Sequence, residues 1–140
     1  MTDDAAAGSV VYLDTSALVK LVVPEPESEA LEQELHRWTD GASSSLAWVE
    51  LPRAVRRRLG EASPSLIELW SALAASAEVP ISDEVVGIAA RLDPARLGSL
   101  DAIHLASAIS LGDALGALVT YDDVLESAAQ EAGLRTLRPA

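Results

Sequence analysis

Short apolar runs alternate with longer amphipathic stretches along this chain, and that alternation limits the fold more than any other feature. Runs rich in Val, Leu or Ala, bounded by Gly, Pro or Asp, predict strands near residues 10–13, 42–45, 79–81, 117–120 and 134–137. Between them lie helical segments. Ala17, Leu18, Leu21 and Val22 form one stripe ahead of Pro24, and a second helix is expected from about Glu27 to Trp38 with Ala30, Leu31 and Leu35 facing inward. Residues 46–59 read as helical. Pro52 lacks an amide hydrogen and fits best in a first turn, which favours a start near Glu50. Ser63-Pro64 opens a helix carrying Leu66, Ile67, Leu69, Trp70 and Leu73, and Ser82 caps one carrying Val85, Val86 and Ala89. Ser99 is expected to cap a helix through Leu111, and Asp122 to open one that stops at Gly133.

Strands separated by helices imply right-handed crossovers and a parallel sheet covered on both faces. The expected class is therefore α/β, a three-layer αβα sandwich around a parallel sheet of four to five strands. Residues 1–140 are expected to form one domain, with residues 1–9 a loose leader. Many unrelated activities occupy such sheets, so architecture alone does not name the chemistry.

The side chains at the element boundaries say more. Asp14 follows the run Val10-Val11-Tyr12-Leu13, Glu50 follows Ser43-Ser44-Ser45, Asp101 lies in Ser99-Leu100-Asp101-Ala102, and Asp122 follows Leu118-Val119-Thr120-Tyr121. An open parallel sheet gathers the carboxyl ends of its strands along one edge, so acids distant in sequence can share a pocket. Clustered carboxylates raise one another's pKa, and a divalent cation relieves the repulsion, which makes Mg²⁺ or Mn²⁺ the natural occupant. Each acid also has a plainer role open to it: Asp14 and Asp101 as helix-start charges, and Glu50 as a partner of Arg53 one turn on.

Composition narrows the rest. An apolar share of 49% supports a packed core, and zero Cys is compatible with a reducing cytoplasm. The N-terminus has no basic region ahead of an apolar stretch, and no apolar run is long enough to span a bilayer, so a soluble cytoplasmic protein is expected. A net charge of −12 argues against simple electrostatic binding of nucleic acid. It does not exclude a nuclease, because metal ions bridge acids to phosphate, and Arg53, Arg56, Arg57 and Arg58 concentrate positive charge locally. Those arginines read equally well as a solvated helix face pairing with Glu61 or with a partner's acids. Trp38, Trp48 and Trp70 sit at apolar helical positions that favour core or interface over base stacking, and His36 is expected to be exposed.

Four stretches together resemble the PIN-domain ribonucleases, and within them the VapC-type toxins of bacterial toxin–antitoxin pairs. They are Tyr12-Leu13-Asp14-Thr15-Ser16-Ala17-Leu18-Val19-Lys20, Ser45-Leu46-Ala47-Trp48-Val49-Glu50-Leu51, Leu100-Asp101-Ala102-Ile103-His104-Leu105-Ala106, and Leu118-Val119-Thr120-Tyr121-Asp122. The resemblance implies an acidic active site of Asp14, Glu50, Asp101 and Asp122. Thr15, Ser16, Thr120 and Asp123 would support it, with Asp123 either an outer helper or a helix-start charge. His104 is expected to be structural rather than a metal ligand. The implied reaction is hydrolysis of RNA to 5′-phosphate and 3′-hydroxyl ends, with one Mg²⁺ or Mn²⁺ on Asp14, Asp101 and Asp122, either alone or with a second near Glu50. It also implies a cognate antitoxin that covers the cleft with a basic side chain, and a homodimer. Helices near residues 27–38 and 46–77 are candidate surfaces for both, or ordinary core. Two alternatives stand beside this: a catalytically silent PIN-like interaction module, and a phosphoacceptor signalling domain. The second would want a Lys near the end of the chain, and the only Lys is Lys20.

Overall fold

The computed structural model describes residues 8–60, 71, 73 and 76–140. Its framework is a five-stranded, wholly parallel sheet with strand order β3-β2-β1-β4-β5. The strands are β1 (Val10–Leu13), β2 (Asp40–Ser44), β3 (Ser76–Val79), β4 (Leu115–Val119) and β5 (Thr136–Leu137). Helices α1 (Thr15–Val22), α2 (Ser28–Leu35), α3 (Ala47–Leu59), α4 (Asp83–Ala90), α5 (Ser99–Ser110) and α6 (Asp123–Glu131) fill the connections, with a short 3₁₀ turn at Gly112–Ala114. The expected α/β class and five strands are thus present.

Alternation along the central strands builds two cores. In β1, Val11 and Leu13 face one side with Ala17, Leu18 and Leu31 of α1 and α2 and Leu51 and Val55 of α3. Tyr12 faces the other side with Val85, Leu105 and Leu125 of α4, α5 and α6. Strand β4 repeats the pattern, Ala117 and Val119 on the first side and Leu118 on the second. This is the period-two arrangement of a strand buried on both faces. All these side chains are nearly inaccessible to water, and burying each large aliphatic is worth roughly 1.5–3 kcal/mol.

Several boundaries differ from the sequence expectation. Helix α3 starts at Ala47, not near Glu50, so Pro52 is its sixth residue. The amide that proline lacks would have reached the carbonyl of Trp48, one turn back. Helix α5 is capped by Gly98 rather than Ser99, which is the first helical residue. Strands β2, β3 and β4 begin and end a few residues earlier than expected, and β5 is reduced to Thr136–Leu137. Caps at Ser82 and Asp122 are as expected: their side chains accept from the amides of Val85 and Leu125. Gly133, just past α6, has φ +88°, the left-handed stop that glycine tolerates best. The helix expected after Ser63-Pro64, with Trp70, lies outside the described residues except for Ser71 and Leu73, of which Leu73 is buried. Trp48 is not core: it is 39% exposed and its indole donates to Glu78 at 2.6 Å. Among the described residues, no helix is long and apolar enough to cross a membrane.

At the edge of the sheet opposite the carboxyl ends, the backbone of Gly116 in β4 lies flat against the ring of Trp38 and the carbonyl of Gly8, with no room for a Cβ. Gly116→Ala is expected to lower stability by about 1–3 kcal/mol, the usual cost of overpacking, seen as a lower urea midpoint with an unchanged slope.

Candidate active site

A chain that runs β1, β2, β3 in one direction and then returns to add β4 on the other flank of β1 has its reversal between β1 and β4. Crevices at the carboxyl ends of strands open at such a point. The first residue after β1 is Asp14, and Thr120, Tyr121 and Asp122 follow β4.

Asp14 is 4% exposed and saturated with donors. Its extended backbone makes it the cap of α1, where Oδ1 accepts from the Ala17 amide at 3.0 Å and from the Ser16 hydroxyl at 2.7 Å. Oδ2 accepts from the Thr120 hydroxyl at 2.6 Å. The same hydroxyl oxygens also accept: Thr120 Oγ1 from the Asp122 amide at 3.1 Å, and Ser16 Oγ from the Tyr121 amide at 2.9 Å. Two hydroxyls and one carboxylate therefore lace the ends of β1 and β4 together. Burial pushes the Asp14 carboxyl up from its ordinary pKa, against the opposing effect of these hydrogen bonds. The helix-cap role and a place in the cleft coexist in this residue.

Glu50 reaches the same crevice from the first turn of α3. Its Oε1 accepts from the Thr15 hydroxyl at 2.6 Å and lies 2.7 Å from His104 Nε2. His104, on α5, is 3% exposed, and its Nδ1 is 2.7 Å from the hydroxyl of fully buried Tyr12. With Nε2–H donating to Glu50, Nδ1 accepts from Tyr12 when the ring is neutral and donates to it when the ring is charged. A continuous line thus runs Tyr12, His104, Glu50, Thr15 across β1, α5, α3 and α1. Burial raises the Glu50 carboxyl, but the hydrogen bonds from His104 and Thr15 and the charges of His104 and Arg57 outweigh it and hold the carboxyl below its usual range.

Asp101, in the first turn of α5, has no hydrogen-bond partner among the described residues. Burial raises its carboxyl, and the charges of Asp122, Asp14 and Glu50 raise it further, against the opposing effect of His104. The four carboxylates therefore sense one another electrostatically. They line one cleft of about 580 Å³, together with Thr15, Ser16, His104, Arg53, Arg57 and Arg58.

The donor set suits a hard divalent cation: carboxylate oxygens that repel one another, one of them unbonded, flanked by hydroxyls. Among the described residues, no three Asp, Glu or His side chains already stand close enough to enclose an ion. The cleft thus has the right chemistry, while closing a ligand cage would require the side chains to move.

All four expected acids face this cleft, as do Thr15 and Ser16, and Thr120 grips Asp14 from beneath. Asp123 does not belong there. It pairs with Arg138 at 2.6 Å on an exposed surface, the helix-start charge of its two expected roles. His104, expected to be structural, lines the cleft and holds Oε1 of Glu50. Its spacing of three from Asp101 puts it on the same helix face, which is the signal for that placement. The partnership with Tyr12 carried no sequence signal. Of the arginine cluster, Arg53, Arg57 and Arg58 line the cleft and Arg56 does not.

A model of the PIN domain matches residues 11–131, and the chain belongs to that family. It is 40% identical over 135 residues to ribonuclease VapC47 of Mycobacterium tuberculosis, covering 93% of this chain and 97% of that one. The fold matches VapBC2 from Rickettsia felis bound to a DNA fragment from its promoter, with a TM-score of 0.72 at 16% identity over 94% of this chain and 99% of the other. It also matches a toxin–antitoxin complex from Klebsiella pneumoniae, with a TM-score of 0.62 at 23% identity over 80% and 86% of the two chains.

Because the folded state raises the Asp101 pKa, it binds more protons than the unfolded chain just above the ordinary carboxylate range, and stability falls as pH rises through that window. Asp101→Asn removes this titration. The variant is expected to unfold at a higher temperature than wild type at pH 7, with the gain vanishing as pH is lowered through the carboxylate range; scanning calorimetry across pH checks it.

Proposed function

We propose that this protein is a divalent-metal-dependent endoribonuclease toxin, acting as a single domain in the cytoplasm and held in check by a cognate antitoxin. One observation carries the reading: Asp14, Glu50, Asp101 and Asp122, from four separate stretches of sequence, line a single cleft at the reversal of a parallel sheet. The name of the 40%-identical relative, a VapC ribonuclease, supports the choice of RNA as substrate. The solved toxin–antitoxin complex with this fold supports an inhibitory partner.

In this reading Asp14, Asp101 and Asp122, with Glu50, would hold Mg²⁺ or Mn²⁺, which would supply Lewis acidity at the phosphate and ease deprotonation of water. The chain's own groups do the rest. Thr120 and Ser16 keep Asp14 in one rotamer, so the ligand on which the others converge is fixed in advance. His104 and Thr15 engage only Oε1 of Glu50, which leaves Oε2 to accept the proton of the attacking water. That water forms a new bond to phosphorus as the bond from phosphorus to the 3′-oxygen breaks; the leaving 3′-oxygen takes a proton from solvent and Glu50 returns its own to solvent, so the ends are 5′-phosphate and 3′-hydroxyl. An antitoxin side chain bearing positive charge would neutralise the acids in place of the cation. A homodimer accompanies the reading, as the resemblance implies.

The test is cleavage of total cellular RNA in Mn²⁺, read as new 5′-phosphate ends by sequencing. Wild type is expected to be active and EDTA to abolish the activity. Even outer partners of metal ligands are worth 10–100-fold, so Asp14→Asn should lower the rate by at least about 100-fold. Equal activity in both proteins would mean a contaminating nuclease and would remove the reading.

A further inference from the structure

An acidic protein that acts on a polyanion needs somewhere to hold the strand besides the acids themselves. With 22 Asp and Glu against 10 Lys and Arg, carboxylates are plentiful, and four of the ten basic side chains make ion pairs among the described residues. Lys20 pairs with Glu25 and Glu27, Arg37 with Glu34, Arg58 with Glu25, and Arg138 with Asp123 and Glu126. Arg53 and Arg57 make no ion pair or hydrogen bond among the described residues, although both line a cleft containing four carboxylates.

Their position on α3 is systematic. Glu50, Arg53 and Arg57 are spaced three and four apart and share one helix face, with small Ala54 between the two arginines on the same wall. At 1.5 Å rise per residue, Arg53 lies about 4.5 Å and Arg57 about 10.5 Å beyond Glu50 along the helix axis. The cleft is therefore graded, acidic at the sheet and basic along α3. The helix dipole accounts for positive charge in the last turn, where Arg56, Arg57 and Arg58 lie. It does not account for Arg53 in mid-helix, and like charges one turn apart weaken a helix.

We infer that Arg53 and Arg57 form a phosphate-gripping track, along which single-stranded RNA leaves the acidic centre next to α3. The inference rests on the ribonuclease reading and deepens it. A strand whose scissile phosphate lies among the acids passes both guanidiniums within its next few nucleotides, and each can take two phosphate oxygens in its planar fork. Such contacts carry no base information, so the track supplies affinity and direction while sequence choice lies elsewhere in the cleft. Arg58 is withheld from it by Glu25, and Arg56 points away from the cleft.

The test measures binding of a short, fluorescein-labelled single-stranded RNA of degenerate sequence to the full chain by anisotropy, at fixed Ca²⁺ and increasing NaCl. Wild type is compared with Arg53→Gln/Arg57→Gln and Arg53→Lys/Arg57→Lys. Each phosphate contact on a single strand contributes about 0.7 to the slope of log affinity against log salt, so the Gln pair should flatten it by about 1.4. The Lys pair should keep most of the slope, since charge is retained. Both positions are exposed, and unchanged thermal unfolding will show that the variants fold. Wild type that does not bind, or a Gln pair with the wild-type slope, overturns the track. So does a Gln pair that binds RNA normally but escapes inhibition by the antitoxin, since the arginines would then serve the protein partner. The same preparations are assayed for Mn²⁺-dependent cleavage of total RNA. A wild type that does not cleave removes the ribonuclease reading, whereas one that cleaves while the slopes stay equal removes the track alone.

Discussion

A carboxylate held almost out of water between two strand ends is the constraint around which the rest of the molecule is arranged. Asp14 is stabilised by donors from its own helix and from β4, because an unpaired buried charge would cost several kcal/mol. Those donors also tie the exits of β1 and β4 together, beyond the ladder that pairs the strands themselves. Ser16 and Thr120 each accept an amide from the segment after β4 while donating to Asp14, so the carboxylate and the strand exits share one hydrogen-bond network. The order of the sheet brings the acid to the reversal point, and the hydroxyls make its burial tolerable.

Around that centre, charge is distributed unevenly for a reason. Asp14 and Asp101 have carboxyls raised by burial, and Glu50 has one lowered by His104, Thr15 and Arg57. Similar groups lining one cleft are thus given opposite tendencies, a contrast that marks functional sites more often than plain surfaces. The basic side of the cleft, on α3, lies beside the one acid whose charge it favours.

Much of this was legible in the sequence because it depends on local pattern. Alternating short and long apolar segments foretold a parallel α/β sheet, and acids at element boundaries foretold a shared pocket. What could not be read depends on phase and on distant partners. The start of α3 differs because the helix runs from Ala47 and takes Pro52 into its interior, a placement that residue type disfavours. Ser99 yielded the cap to Gly98 for a reason of geometry that residue type does not encode. Which arginines enter the cleft follows from the phase of α3, and the bond between Tyr12 and His104 spans 92 positions of sequence. Asp123 differs from Asp122 only in direction: adjacent helical residues point apart, and one of the two had to face outward.

The line from Tyr12 to Glu50 also ties the two sides of the sheet. Tyr12 belongs to the core beneath α4, α5 and α6, whereas α3, which carries Glu50, packs in the core on the opposite face. His104 spans the gap from α5. A chain that has assembled only one layer lacks either the acid or its brace. Only the completed sandwich therefore presents a braced Glu50 to the cleft, and a partly folded copy lacks that feature of the site.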